Sequence, residues 1–107
     1  MTILDFETVL ETFKTEDNVP WSFHQFDSPQ DLPFMSYVFT DETPIIADGT
    51  NYLSYKNIQL ELYTDAIDAS LEAKLETALL NAGLRFRKDY GYIESEKLYM
   101  AAYQMEV

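Results

Sequence analysis

The side chains that could do chemistry are few. The chain of 107 residues has no cysteine and one histidine, His24, so thiolate nucleophiles and thiolate metal sites are excluded. His24 falls in a predicted strand with no Ser or Cys nucleophile pattern around it, and a lone imidazole cannot build a metal site. Asp41, Glu42 and Asp48 bring three carboxylates to one segment, as a hard cation would require. Their spacing does not fit a calcium-binding loop, and no Glu closes a twelve-residue frame. Gly49, Gly83 and Gly91 are far apart and form no phosphate-cradling loop. Pairs of carboxylates for hydrolysis arise anywhere in so acidic a chain and identify nothing. No catalytic residue, cofactor or metal is expected, and no enzymatic activity.

Charge is the stronger signal. Nineteen acids against seven bases give a formal charge of −12. Residues 1–53 hold ten of the acids and only Lys14, for −9, and residues 54–107 carry the remaining −3. Such a surface repels nucleic acid and anionic membranes. Asp68, Glu72 and Glu76 recur at intervals of four, which on a helix makes one acidic stripe, expected to lie opposite the apolar face. Like charges at that spacing cost a few tenths of a kcal/mol per pair. The stripe is either a solvated face or a surface that lines an electronegative channel or meets a basic partner. Arg85, Arg87 and Lys88 form a basic cluster suited to a neighbouring subunit's acids and too small for nucleic-acid recognition. Tyr90, Tyr92, Tyr99 and Tyr103 supply large side chains with polar tips, which serve a core or an interface equally well.

The elements that must position these residues follow from periodicity. Thr2 and Asp5 resemble a capping box, and Ile3, Phe6, Val9, Leu10 and Phe13 share one helical stripe, predicting a helix over roughly 3–14. Asp17-Asn18 and Pro20 break it. Segments 21–26 and 33–40 read as strands, paired as a hairpin across the turn formers Asp27-Ser28-Pro29-Gln30-Asp31. In the second, Phe34, Ser36 and Val38 alternate with Met35, Tyr37 and Phe39, leaving both faces largely apolar. Segment 41–51 contains Pro44, Asp48-Gly49 and the apolar pair Ile45-Ile46. It is either a long connection or a protruding hairpin with that pair on its first arm. Ile45, Ile46 and Tyr52 are the expected contact loop.

Segment 52–63 is the clearest strand, with Ile58, Leu60 and Leu62 inward. A second helix opens at Asp65, buries Ile67, Leu71, Leu75, Ala78, Leu79 and Ala82, and stops at Gly83. A strand at 84–87, a turn over 89–96 and a last strand over 98–106 complete the chain. The whole is one α+β domain in the order α-β-β-β-α-β-β, with a mixed or antiparallel sheet of about four to six strands packed by two helices. No segment reaches the roughly 18 apolar residues of a membrane span, and the N-terminus has no signal-peptide pattern.

Four segments in register carry a resemblance: Pro33-Phe34-Met35-Ser36-Tyr37-Val38, Ala47-Asp48-Gly49 before Tyr52, Ile58-Gln59-Leu60-Glu61-Leu62-Tyr63-Thr64, and Tyr92-Ile93-Glu94-Ser95-Glu96-Lys97-Leu98-Tyr99. Together they resemble the tail terminators of long-tailed phages and prophages, small neck and tail-completion proteins also called minor capsid proteins. The resemblance implies a structural protein of the virion, assembled in the bacterial host cytoplasm. It would cap the tail tube as a six-fold ring and join tail to head, with the tail tube protein and head-tail connector proteins as partners. It implies no enzyme. Asp41, Glu42, Asp48, Asp68, Glu72 and Glu76 would then face the DNA channel or a partner, and Ile45, Ile46, Tyr52, Arg85 and Arg87 would lie between subunits. Two other roles fit the composition: a different head-tail connector component, or a small acidic inhibitor that mimics DNA.

Overall fold

A computed structural model describes residues 3–24, 26, 31–47 and 51–107; for residue 3 and for 41–47 and 51–56 the description is of the backbone. The order is α1 (Ile3–Asp17), β1 (Trp21–Phe23), β2 (Phe34–Ala47), β3 (Asn51–Thr64), α2 (Ala69–Asn81), β4 (Phe86–Ile93) and β5 (Leu98–Glu106). The five strands form one mixed sheet in the order β1-β2-β3-β5-β4, which is the expected α+β architecture.

Both helices lie on the same side of the sheet. Phe6, Leu10 and Phe13 of α1 and Leu75 and Leu79 of α2 join Met35, Tyr37, Ile58, Leu60, Leu62, Ala101, Tyr103 and Met105 in one core. These sheet residues share a face because side chains alternate along a strand, and the registers align Met35, Leu62 and Ala101 across neighbouring strands, as they do Tyr37, Leu60 and Tyr103. α1 crosses the β2 side of the sheet, where the Tyr37 hydroxyl donates to Glu7 and the Phe6 ring meets Tyr37 edge-on at 5.2 Å. α2 crosses the β5–β4 side. The helices are tied to each other by Lys74, whose Nζ lies 2.7 Å from Asp17 Oδ1.

The other side of the sheet carries Phe34, Ser36 and Val38, then Gln59, Glu61 and Tyr63, then Met100, Ala102 and Gln104, with Arg87, Asp89 and Gly91 on β4. No described helix packs on it. It is graded along the strands. Phe34 stacks on Tyr63 at 4.9 Å and meets Phe26 at 5.5 Å near one end. At the other end Arg87 donates to Gln104 at 2.9 Å, and Gln104 donates to Gln59 at 3.2 Å.

Several expectations need correction. α1 continues to Asp17, three residues past its predicted end, and stops where Asn18 takes a positive φ of 57°, a conformation Asn tolerates better than most residues. β1 is only three residues long and runs parallel to β2, Trp21 opposite Met35, so the expected hairpin is absent. α2 begins at Ala69 with Asp68 as its cap, accepting from the Leu71 N–H at 3.0 Å. Asp65 is not the cap. Ile67 therefore precedes the helix and is 59% exposed instead of joining the buried stripe. β4 runs on to Ile93 through Asp89 and Gly91, both poor strand formers, because the register with β5 is unbroken and Tyr92 packs on Tyr99 at 4.8 Å. The turn shrinks to residues 94–97, with Lys97 at a φ of 54°.

β2 and β3 extend well beyond the sheet. β3 pairs with β5 only from Asn57 to Thr64, and β1 pairs with β2 only at Met35–Tyr37. From Asp41 to Ala47 and Asn51 to Lys56 the two strands pair with each other alone among the described residues. The protruding hairpin foreseen for this segment is thus present, with Ile45 opposite Leu53 and Ile46 opposite Tyr52. At about 3.3 Å per residue such a ribbon reaches roughly 20 Å. It accounts for axial extents of 50 × 28 × 25 Å and a radius of gyration of 15.0 Å, against about 13 Å for a compact chain of this length.

Candidate assembly surface

The ribbon leaves the sheet at a bulge. The β2–β3 register shifts between Phe39 and Asp41, so Thr40 is the extra residue, and its hydroxyl donates to the Asn57 carbonyl at 3.1 Å. A bulge bends and twists the strand that carries it, re-aiming the ribbon relative to the sheet. At its base lies an open cleft of about 380 Å³ lined by Thr40, Asn57, Ile58, Arg87, Gln104, Met105 and Glu106. The cleft mixes hydroxyl, amide, guanidinium and carboxylate groups with the edge of the core, and its one hydroxyl, that of Thr40, is bonded to the Asn57 carbonyl.

Both ends of the sheet expose aromatic rings. At the β1 end Phe23 and Phe39 are 46% and 41% exposed and 5.3 Å apart. At the β4 end Tyr90 and Tyr92 are about half exposed. His24 lies just past β1 at a φ of 69°, is exposed, and donates its backbone N–H to Tyr37 O at 2.8 Å. It is therefore neither a core nor a strand residue.

The acidic residues of α2 do not form the stripe opposite its apolar face, solvated or turned to a channel or partner, that their spacing predicts. Asp68 is spent on the cap. Glu72 is 3% exposed and lies 2.7 Å from Lys88 Nζ while accepting from the Tyr90 hydroxyl. Glu76 is half-buried, 2.6 Å from the same ammonium, and accepts from the Tyr103 hydroxyl at 2.9 Å. The spacing of four does align Glu72 with Glu76, but on the face that meets β4 and β5. Lys88, whose ammonium stands 4.8 Å from the Tyr90 ring centroid, neutralises one charge of the pair. Partial burial pulls its pKa down, but hydrogen bonds to Glu72, Glu76 and Tyr90 more than compensate, leaving it well above the ordinary lysine value. Burial, then the bond to Glu76, pushes the Tyr103 phenol far above its usual range. Burial and the neighbouring Glu61 raise Tyr63 on the open face to about 12. Two carboxylates, one ammonium and two phenols with mutual partners make a structural clamp between α2 and the sheet edge.

Arg85 and Arg87 are exposed, Arg85 in the link before β4 and Arg87 on β4 itself. Arg87 Nε lies 3.9 Å from Asp89 Oδ2 across solvent-exposed side chains. Lys88, the third member of the basic cluster, points to the opposite side of the strand. For Asp41, Glu42, Ile45, Ile46 and Tyr52 the described backbone places all five on the ribbon; Asp48 and Gly49 lie outside the described residues. Arg87 reaches the cleft at the foot of the ribbon, where Thr40 and Asn57 also stand, while Arg85 lies in the link before β4. Among the described residues no three His, Asp or Glu side chains gather as a metal site would require, and no helix is long and apolar enough to cross a membrane.

A solved structure shares this fold. A chain of the virion of a native gene transfer agent (GTA) particle superposes with a TM-score of 0.68, covering 94% of this chain and 87% of its own length at 14% identity. No family model matches the chain, and neither does any curated protein sequence. The superposition includes nearly all of the chain, so the likeness embraces the element order and the sheet as a whole. Sequence reasoning missed the Glu72–Lys88–Glu76 clamp. The available signal was the alternation of β4, which puts Lys88 on the same face as Phe86 and Tyr90.

Proposed function

We propose that this protein is a structural component of a tailed-phage virion, a tail-completion protein that caps the tail tube as a ring of six copies and joins it to the head. The observation that carries the reading is the fold shared with a virion chain over 94% of this chain, together with the four segments that resemble tail terminators. The ribbon and the exposed sheet edges support it, because surfaces of this kind need other chains to cover them. The role is one of assembly and not of catalysis. Its partners are further copies of itself, the tail tube protein and the head-tail connector proteins, without direct binding of nucleic acid or membrane.

In this reading the −9 of residues 1–53 faces the channel or a partner, so that DNA passes without salt-sensitive contacts. Asp41, Glu42 and Asp48 are its main candidates; Glu72 is assigned to the fold instead. Neutral variants of those three residues that assemble and infect normally would remove the channel role. The decisive experiment is absolute mass by light scattering over a wide concentration range, with negative-stain images, followed by capture on purified tail tubes. A six-subunit ring, or a monomer that joins tubes stoichiometrically, is the expected outcome. A monomer that ignores tubes and instead binds a nuclease or DNA-binding protein in a salt-sensitive way would replace this reading by that of an acidic inhibitor.

A further inference from the structure

The ribbon has two outer edges of different character. On β2, Pro44 lies in the middle of the arm with the register intact on both sides, Thr43 opposite Tyr55 and Ile45 opposite Leu53. Proline has no N–H to donate and is tolerated in a strand where that gap faces away from the partner, so it blunts the outer edge of the β2 arm. The β3 arm, Asn51–Lys56, holds no proline, no glycine and no acid, and is rich in strand-forming Tyr and Leu. Its outer side lies beyond the last β3–β5 pair, Asn57 with Glu106. A two-stranded ribbon is marginal by itself, and a third strand is what stabilises it.

The second unguarded edge of the chain is β4. Its eight residues pair with β5 in an unbroken register, without bulge or proline, and no described strand covers the far side. The β3 arm and β4 cannot meet within one molecule, because β5 lies between β3 and β4 in the sheet. From these edges we infer that the β3 arm, Asn51–Lys56, of one copy pairs as a strand with the outer edge of β4 of the next copy. The contact is head-to-tail: different surfaces of the same chain meet, and repetition closes a ring when the rotation allows. The exposed carboxylate of Asp89 on β4 is the one opposite charge available there to the single base of the β3 arm, Lys56. The pairing would cover Tyr90 and Tyr92. It gives the ring reading a specific contact and rests on that reading.

The absence of native cysteine makes the test direct. Asp89→Cys protein is mixed in turn with Tyr52→Cys, Leu53→Cys, Ser54→Cys and Tyr55→Cys proteins, and with Thr43→Cys protein from the β2 arm, under mild oxidation after assembly. Adjacent strands bring Cα atoms within the 4.4–6.8 Å that a disulfide spans. The expected result is dimer formation at alternate β3-arm positions, because only every second side chain shares the face of Asp89, and a loss of dimer with Thr43→Cys. Amide hydrogen exchange of the unmodified protein should slow in residues 51–56 and 86–93 on assembly. Rings that form without cross-linking or protection at these segments overturn the pairing and leave the ring reading intact. Cross-linking that is uniform across positions, or equal from the β2 arm, also overturns it. Protein that stays monomeric alone and on tail tubes overturns both.

Discussion

Lys88 Nζ sits between two carboxylates of α2, 2.7 Å from Glu72 and 2.6 Å from Glu76, and Glu72 is almost wholly removed from water. The two acids are unequal partners in this triad. Removing the lysine leaves a buried carboxylate next to a second carboxylate, whereas neutralising Glu72 leaves Lys88 paired with Glu76.

Lys88→Met should therefore cost about 3–5 kcal/mol, the usual penalty for an uncompensated buried charge. Glu72→Gln should cost about 1 kcal/mol, the net worth of a hydrogen bond weakened but not abandoned. Urea titration of the two variants and of the double variant checks this. Equal losses would show that the clamp is a surface pair in effect.

The buried phenols set the alkaline limit. Tyr37 and Tyr103 are 2% and 0% exposed, and burial first, then hydrogen bonds to Glu7 and Glu76, raises both well above the ordinary phenol value. Lys88 is raised as well. A pKa raised in the folded state means stability that is complete below the unfolded value and lost as pH climbs through the folded one. Stability should be flat from neutrality to about pH 9, begin to fall as the unfolded phenols ionise near pH 10, and approach a loss of about 1.4 kcal/mol per pH unit for each buried phenol above about pH 11. Denaturant midpoints between pH 7 and 11 measure it.

Asp68 accepts from the Leu71 N–H at the start of α2. Asp68→Ala should cost about 1 kcal/mol through loss of the cap, while oligomeric state is unchanged. A variant as stable as the parent but altered in assembly would return Asp68 to the acidic partner surface that its spacing first suggested.

Lys97 closes the β4–β5 turn at a φ of 54°, a conformation glycine adopts without steric cost. Lys97→Gly should gain up to about 1 kcal/mol, the reverse of the penalty an L side chain meets there. Thermal unfolding would register this as a rise of roughly 4–8 °C.

The fold was legible where one period dominates. Ile58, Leu60 and Leu62 alternate cleanly, Gly83 marks the end of α2, and the last strand has the predicted bounds. Elements whose identity depends on a distant partner were not legible. Nothing local in Trp21–Phe23 distinguishes a parallel strand from a hairpin arm, and Asp89 and Gly91 argue against the strand that β5 imposes on them. Of the acidic spacing on α2, Glu72 and Glu76 do share one face, but it is the face toward the sheet, and Asp68 is the cap. A carboxylate can face the sheet only because Lys88, Tyr90 and Tyr103 wait there, and those residues are 12 or more positions away.

Because the helices clothe a single side of the sheet, odd and even positions of β2, β3 and β5 live under separate constraints. Met35, Leu60 and Tyr103 answer to the core, where a lost methylene is felt at once. Ser36, Glu61 and Gln104 lie on the side that no described helix covers, and Glu61 and Gln104 find their partners there in Tyr63, Arg87 and Gln59. Such a chain can be rewritten at the exposed positions of one side of its strands, exchanging one neighbour for another, while the fold beneath stays the same.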